Sequence, residues 1–268
     1  MSEIFKIALG QITVAPNGKE NLSQCETLME KARNEGARLI VFPEGIIARN
    51  PSVASWTKMH AEPLDGPFVS GLLEASRRLA MAVSCTVHCP SKDFEGKVCN
   101  VHLILDKGEM LADYHKLHLY DAFSDRESDE VVAGDEVPPI VEIDDWHFGL
   151  MTCYDLRFPE LARRLTLDGA QALLVPSAWV RGPLKESHWE IMARARALEN
   201  TVYVTAVSEV SSRNIGCSML IDPLGVPVAR AASAPQLVLS QMDLKELQNV
   251  RENLPVLKNR RFDRLQLI

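Results

Sequence analysis

The sequence predicts a mixed α/β protein in which two sheets are faced by helices, not one doubly wound sheet. The opening residues read as a β-α-β unit, yet most later strands follow one another as hairpins. About a dozen strand-like runs stand against four or so helical ones, with no linker rich in Gly, Ser or Pro and no repeat, so one domain over residues 1–268 is expected.

The elements follow in order. IFKIALGQI at 4–12 is rich in β-branched and aromatic residues and reads as a strand, and Pro16, Asn17 and Gly18 turn the chain. Asn21 to Asn34 carries Leu22, Cys25, Leu28, Met29 and Ala32 at helical spacing, and Gly36 closes that helix. RLIVFPE at 38–44 is a buried strand ending on Glu44. A helix through Phe68–Leu79 leads to the strand MAVSCTVHC, and VCNVHLIL and MLADYH pair around Asp106–Lys107–Gly108. Residues 121–138, polar and acidic, read as a loop. IVEIDD and WHFGLMTC form another strand pair, followed by a helix from Pro159, the strand QALLVPSA and a helix over Lys185–Glu199. TVYVTAVSEV, CSMLID, VPVAR and QLVLSQMD then read as consecutive strands. Residues 252–268 are polar and broken, and read as a C-terminal arm.

Composition narrows the function classes. Hydrophobic residues make up 46% and charged residues 24%, which leaves disordered and fibrous classes out. A net charge of -7 gives no basic face for a nucleic acid or an anionic membrane. The N-terminus lacks the pattern of a secretory signal, and no apolar run approaches the roughly 18 residues a membrane span needs. The six cysteines form no C-x-x-C pair, which fits reduced thiols in the cytoplasm.

Three residues share a context. Glu44, Lys116 and Cys153 each sit where an apolar run stops, and side chains at strand ends are where rigid scaffolds usually hold reactive groups. A carboxylate, an amine and a thiol make a chemically complete set for acyl transfer. The carboxylate takes the thiol proton and later returns it to the departing nitrogen. A nearby ammonium favours the thiolate. The ammonium and the backbone N–H of Tyr154 are candidate donors to the oxyanion. The bland readings are an inert core thiol for Cys153, a solvated strand-end charge for Glu44 and a surface amine for Lys116.

FPEG at 42–45, YHKLHLYD at 114–121 and CYDLRFPEL at 153–161 together resemble the three signatures of the nitrilase superfamily of carbon–nitrogen hydrolases. The likeness extends to GP…HW at 182–189, ARALEN at 195–200 and DPLG at 222–225. It implies a four-layer α-β-β-α sandwich, a homodimer, and a Glu-Lys-Cys triad falling on Glu44, Lys116 and Cys153. It also implies a second glutamate, best matched by Glu127, on a segment several residues shorter than in better-known relatives. Glu127 lies in an acidic run with Asp125, Asp129 and Glu130, and its bland reading is a charge on a solvated loop.

Within the superfamily, CYDLRFPEL and KLHLYDAF resemble the branch of amidases acting on deaminated glutathione or on 2-oxoglutaramate. N-carbamoyl amino acid hydrolysis and a non-catalytic dimeric scaffold are the other readings. Arg157 either braces its turn through Asp155 or Glu160 or holds a substrate carboxylate in bidentate fashion. Trp179 is a core aromatic or a pocket wall, and Arg181 a surface charge. Cys85, His88 and Cys89 do not share one strand face. His115 and His118 belong to no HExxH, and no GxSxG, GxGxxG or Walker loop occurs. No metal and no cofactor is expected, and a small amide is the expected partner.

Overall fold

The computed structural model describes residues 4–53, 55–123 and 125–262. The chain opens with β1 (Ile4–Gln11), α1 (Gly18–Asn34) and β2 (Leu39–Val41), with β2 parallel to β1. Asn17 caps α1, its side chain accepting from the Lys19 N–H. After a short α2 (Trp56–Met59) come α3 (Pro67–Leu79) and β3 (Ala82–Pro90), parallel to β2. β4 (Val98–Asp106) and β5 (Glu109–His115) follow as an antiparallel hairpin.

Residues 121–138 hold more order than their polarity suggests. β6 (Asp121–Ala122) and β7 (Asp125–Arg126) form a small hairpin, and β8 (Val131–Val132) pairs with the start of β4. The second half repeats the plan of the first: β9 (Val141–Ile143), β10 (Trp146–Leu150), α4 (Pro159–Leu167), β11 (Ala172–Ser177), α5 (Lys185–Asn200) and β12 (Tyr203–Ser208). In it β10, β11 and β12 run parallel, and β13 (Met219–Ile221) and β14 (Pro227–Arg230) return as antiparallel strands.

The last strand changes sheets. β15 (Gln236–Asp243) does not continue the second sheet but crosses to the first, where it pairs antiparallel with β1 along its full length. The first sheet therefore runs β15-β1-β2-β3-β4-β5, and the second β14-β13-β12-β11-β10-β9. A helix that the polar sequence did not announce, α6 (Leu244–Asn253), starts on the cap Asp243, whose carboxylate accepts from the N–H groups of Lys245 and Glu246. A last turn, α7 (Val256–Asn259), packs beside α5. The rest of the arm, residues 263–268, lies outside the described residues.

Three apolar layers hold these elements together. Neighbouring strand residues point to opposite faces, so Ile40 packs toward α1 and α3 while Leu39 and Val41 pack between the sheets. Likewise Leu174 faces the gap between sheets while Leu173 meets α4 and α5. Both faces of each central strand are buried, which is why the runs read as continuously apolar. The result is the four-layer α-β-β-α sandwich.

Candidate active site

Both sheets end on the same side, and the reactive side chains sit there. Glu44 leaves β2 through Pro43, and its N–H donates to the Ser177 carbonyl at 3.2 Å, tying the first sheet to β11 of the second. Gly45 turns the chain with a φ of 66°, and a Cβ there would lie 2.8 Å from Arg49 Nη2 and 3.0 Å from His88 Cε1. Cys153 begins a tight 3₁₀ turn over Cys153–Arg157 with a φ of 46°. A non-glycine residue in the left-handed region is strained by roughly 1–3 kcal/mol and persists where its surroundings enforce it.

Asp155 does the enforcing. Its buried carboxylate accepts from the Thr152 N–H at 2.8 Å, the Tyr114 hydroxyl at 2.9 Å and the His118 N–H at 3.2 Å, and lies 2.7 Å from His118 Nδ1. The turn that carries Cys153 is thereby locked to the segment that carries Lys116.

Lys116 is 2% exposed and bridges two carboxylates. Its Nζ donates to Glu44 Oε1 at 2.9 Å and to Glu127 Oε1 and Oε2 at 3.0 and 2.8 Å. Glu127 is no solvated loop charge. The β6–β7 hairpin returns it to the cavity, where its Oε2 accepts from the Tyr120 N–H at 2.7 Å and its own N–H donates to the Tyr120 carbonyl at 3.2 Å.

Burial and charge set the protonation states. Burial alone would raise the Glu44 carboxyl, but the field and hydrogen bond of Lys116 outweigh it and bring the group down to about 2. Burial opposes the Lys116 ammonium, yet Glu127 and Glu44 hold its pKa well above the ordinary lysine value. Cys153 goes the other way from the sequence-based expectation. Burial and then the Glu44 carboxylate push its thiol well up, and the opposing pull of Lys116 is smaller. The resting site is carboxylate, ammonium and neutral thiol, so the thiol needs a base at the moment of attack.

Sequence reasoning missed Asn100, a polar residue inside the apolar run VCNVHLIL. Its Nδ2 donates to Glu44 Oε1 at 2.8 Å and approaches Glu127 Oε1 at 3.4 Å, so it holds both carboxylates in place. The signal was an amide in a strand buried on both faces, since such a group is buried only with partners.

Cys153, Glu44 and Lys116 open onto a cavity of about 490 Å³. The Trp179 ring forms part of its wall and donates through Nε1 to the Lys185 carbonyl at 3.0 Å. Arg157 also lines it, with its guanidinium carbon 5.1 Å from the Trp179 ring centre and 5.8 Å from that of Tyr154. Arg157 does not brace the turn through Asp155, whose oxygens are taken. Its Nε and Nη2 are buried without a hydrogen-bond partner, and no carboxylate pairs with it among the described residues. Arg181 lies at the surface near Glu186, at 3.6 Å.

The comparisons with known proteins agree with this picture. The carbon-nitrogen hydrolase family model matches residues 6–252. The chain belongs to the carbon–nitrogen hydrolase family. It is 43% identical to the deaminated glutathione amidase of Escherichia coli O157:H7, covering 98% of this chain and 99% of that one. Among solved structures, Saccharomyces cerevisiae Nit3, a member of the nitrilase superfamily, superimposes with a TM-score of 0.85 at 27% identity, covering 98% of both chains. The C. elegans NitFhit protein gives a TM-score of 0.88 at 30% identity over 96% of this chain, which spans 65% of that longer one. As a carbon–nitrogen hydrolase, the protein is an enzyme that cleaves C–N bonds of amides. No helix among its described residues is long and apolar enough to cross a membrane.

Proposed function

We propose that this carbon–nitrogen hydrolase is a Glu-Lys-Cys amidase that converts deaminated glutathione to 2-oxoglutarate and Cys-Gly. The observation that carries the reading is the unpaired Arg157 guanidinium on the cavity it shares with Cys153. A guanidinium fork matches a carboxylate, and this amide substrate ends in a 2-oxo acid. The 43% identity to a deaminated glutathione amidase supports it.

In this mechanism Cys153 Sγ attacks the amide carbonyl as Glu44 takes the thiol proton. Lys116 and the Tyr154 N–H face the oxyanion, and Glu44 returns the proton to the leaving nitrogen as the C–N bond breaks. Water then attacks the thioester with Glu44 again as base, releasing the acid and the thiol. Glu127 and Asn100 position Lys116 and Glu44, and Trp179 walls the acyl group.

Deaminated glutathione and 2-oxoglutaramate form the same acyl-enzyme, so their kcat/KM ratio isolates recognition of the leaving group. Release of 2-oxoglutarate is expected from both, faster from deaminated glutathione, and none with Cys153→Ala. Preference for 2-oxoglutaramate would move the protein to the ω-amidases. An Arg157→Ala variant with unchanged KM would remove that residue from the site.

The homodimer belongs to the same proposal. Ile191 and Leu198 stand 61% and 45% exposed on α5, and Val226 and Val228 are each 50% exposed on the adjoining turn and strand. An apolar strip of this kind is what an interface between copies covers. Light scattering giving the 29.8 kDa of one chain would contradict it. The six cysteines are free thiols, which supports a reducing, cytoplasmic setting; recovery from a secreted fraction would speak against that.

A further inference from the structure

A second cation stands beside Arg157, and its placement works against it in three ways. Lys185 is 6% exposed although it carries an ammonium. It is the first residue of α5, where the helix dipole disfavours positive charge. It lines the same cavity as Arg157. Burial lowers its pKa, and the Arg157 guanidinium lowers it further.

Among the described residues no carboxylate forms an ion pair with Lys185, and the face of the Phe123 ring offsets only part of the cost. Lys185 Nζ donates to the Tyr120 hydroxyl at 2.7 Å, a neutral partner, and sits 4.0 Å from the centre of the Phe123 ring. Asp125, the carboxylate that acts on it from the β6–β7 hairpin, is hydrogen-bonded to Arg213 at 3.0 Å. A buried charge costs heavily unless an opposite charge joins it, and an ammonium has three donors to fill. One cation could be met by a lone carboxylate oxygen pair. Two, one a flat fork and one a point charge, fit a group with more oxygens than a carboxylate alone.

We propose that Lys185 is a specificity-determining residue which, with Arg157, binds the carboxylate and the adjacent 2-oxo oxygen of the acyl donor. The inference rests on the reading of the substrate as the amide of a 2-oxo acid. Arg157 takes the carboxylate as a bidentate pair. Lys185 reaches the third oxygen, with the Tyr120 hydroxyl fixing its direction and the Phe123 ring covering it. Tyr120 also holds Glu127 through its backbone.

The test compares three amides on the full-length protein: 2-oxoglutaramate, glutaramate, which lacks the 2-oxo oxygen, and neutral pentanamide. Wild type, Lys185→Met and Lys185→Arg are assayed, with thermal unfolding as the check that each variant is folded. A charge-assisted hydrogen bond accounts for about tenfold to a hundredfold in binding. Lys185→Met is therefore expected to raise KM for 2-oxoglutaramate by about that factor. Its kcat should stay within about twofold of wild type, the lost contact being shared by ground and transition states. The preference of 2-oxoglutaramate over glutaramate should shrink, and Lys185→Arg should restore part of it. A folded Lys185→Met that keeps the wild-type preference overturns the inference, as does an equal loss on all three amides. If wild type itself shows no preference for the 2-oxo acid amide, the substrate reading fails and this inference fails with it.

Discussion

Replacing Glu44 by Gln is expected to lower kcat by about 10²–10⁴-fold, the usual contribution of a general base. The fold should survive, because the side chain keeps its size, but not without cost. Both Glu44 oxygens accept hydrogen bonds, Oε1 from Lys116 and Asn100 and Oε2 from the Ala178 N–H. A glutamine has one oxygen to offer, so at least one buried donor loses its acceptor, at about 1–3 kcal/mol. Denaturant unfolding should show a loss in that range.

The same variant separates two accounts of the nucleophile. Were Cys153 a standing thiolate held by Lys116, the base would matter little. In this structure burial and the Glu44 carboxylate keep the thiol protonated. Removing that carboxylate lets the thiol ionise at lower pH. The midpoint for alkylation of Cys153 by iodoacetamide should therefore move down while turnover collapses. Retained turnover would show that another group takes the proton.

Much of this was legible in the sequence because each feature had a local cause. The strands at 38–44 and 171–178 announce themselves as short apolar runs closed by Pro or polar residues. The residues that end them are the ones that meet in the cavity. The layers were legible for the same reason, since only a strand buried on both faces loses its alternation. The crossing of β15 to the first sheet was not legible. QLVLSQMD reads as a strand wherever it pairs, and the choice of edge is made by contacts with β1, more than two hundred residues earlier. The α6 helix was hidden because it buries only Leu247 and Val250 and relies on the Asp243 cap. Lys185 was hidden too: a lysine opening a helix reads as solvated until the cavity around it is known. Asp155 looked like a partner for Arg157 because they are neighbours in sequence, whereas the turn sends its carboxylate to Tyr114 and His118.

Removing the ammonium at the centre should produce the largest loss of stability. In Lys116→Met, Glu44 and Glu127 face each other with no cation between them, and an uncompensated buried charge of this kind costs about 3–5 kcal/mol. Activity should fall as well, by about 10²–10³-fold for the lost oxyanion donor. The pH dependence carries the diagnosis. In the wild type the folded Glu44 pKa, about 2, lies below its ordinary 4.5. Its ionisation thus contributes stability that is present above pH 4.5 and is lost as pH falls toward 2. Without Lys116, burial is the dominant influence and it raises the Glu44 pKa. The sign then reverses: the folded state binds the proton more tightly than the unfolded one, so the variant gains relative stability on acidification. Urea unfolding at pH 7.5 and 5.5 should show the deficit shrinking at the lower pH. Adding Glu127→Gln removes one of the two facing charges, so the double variant should be more stable than Lys116→Met alone. A deficit equal at both pH values and unmoved by Glu127→Gln would mean that Lys116 supports the fold through packing of its stem, not through its charge.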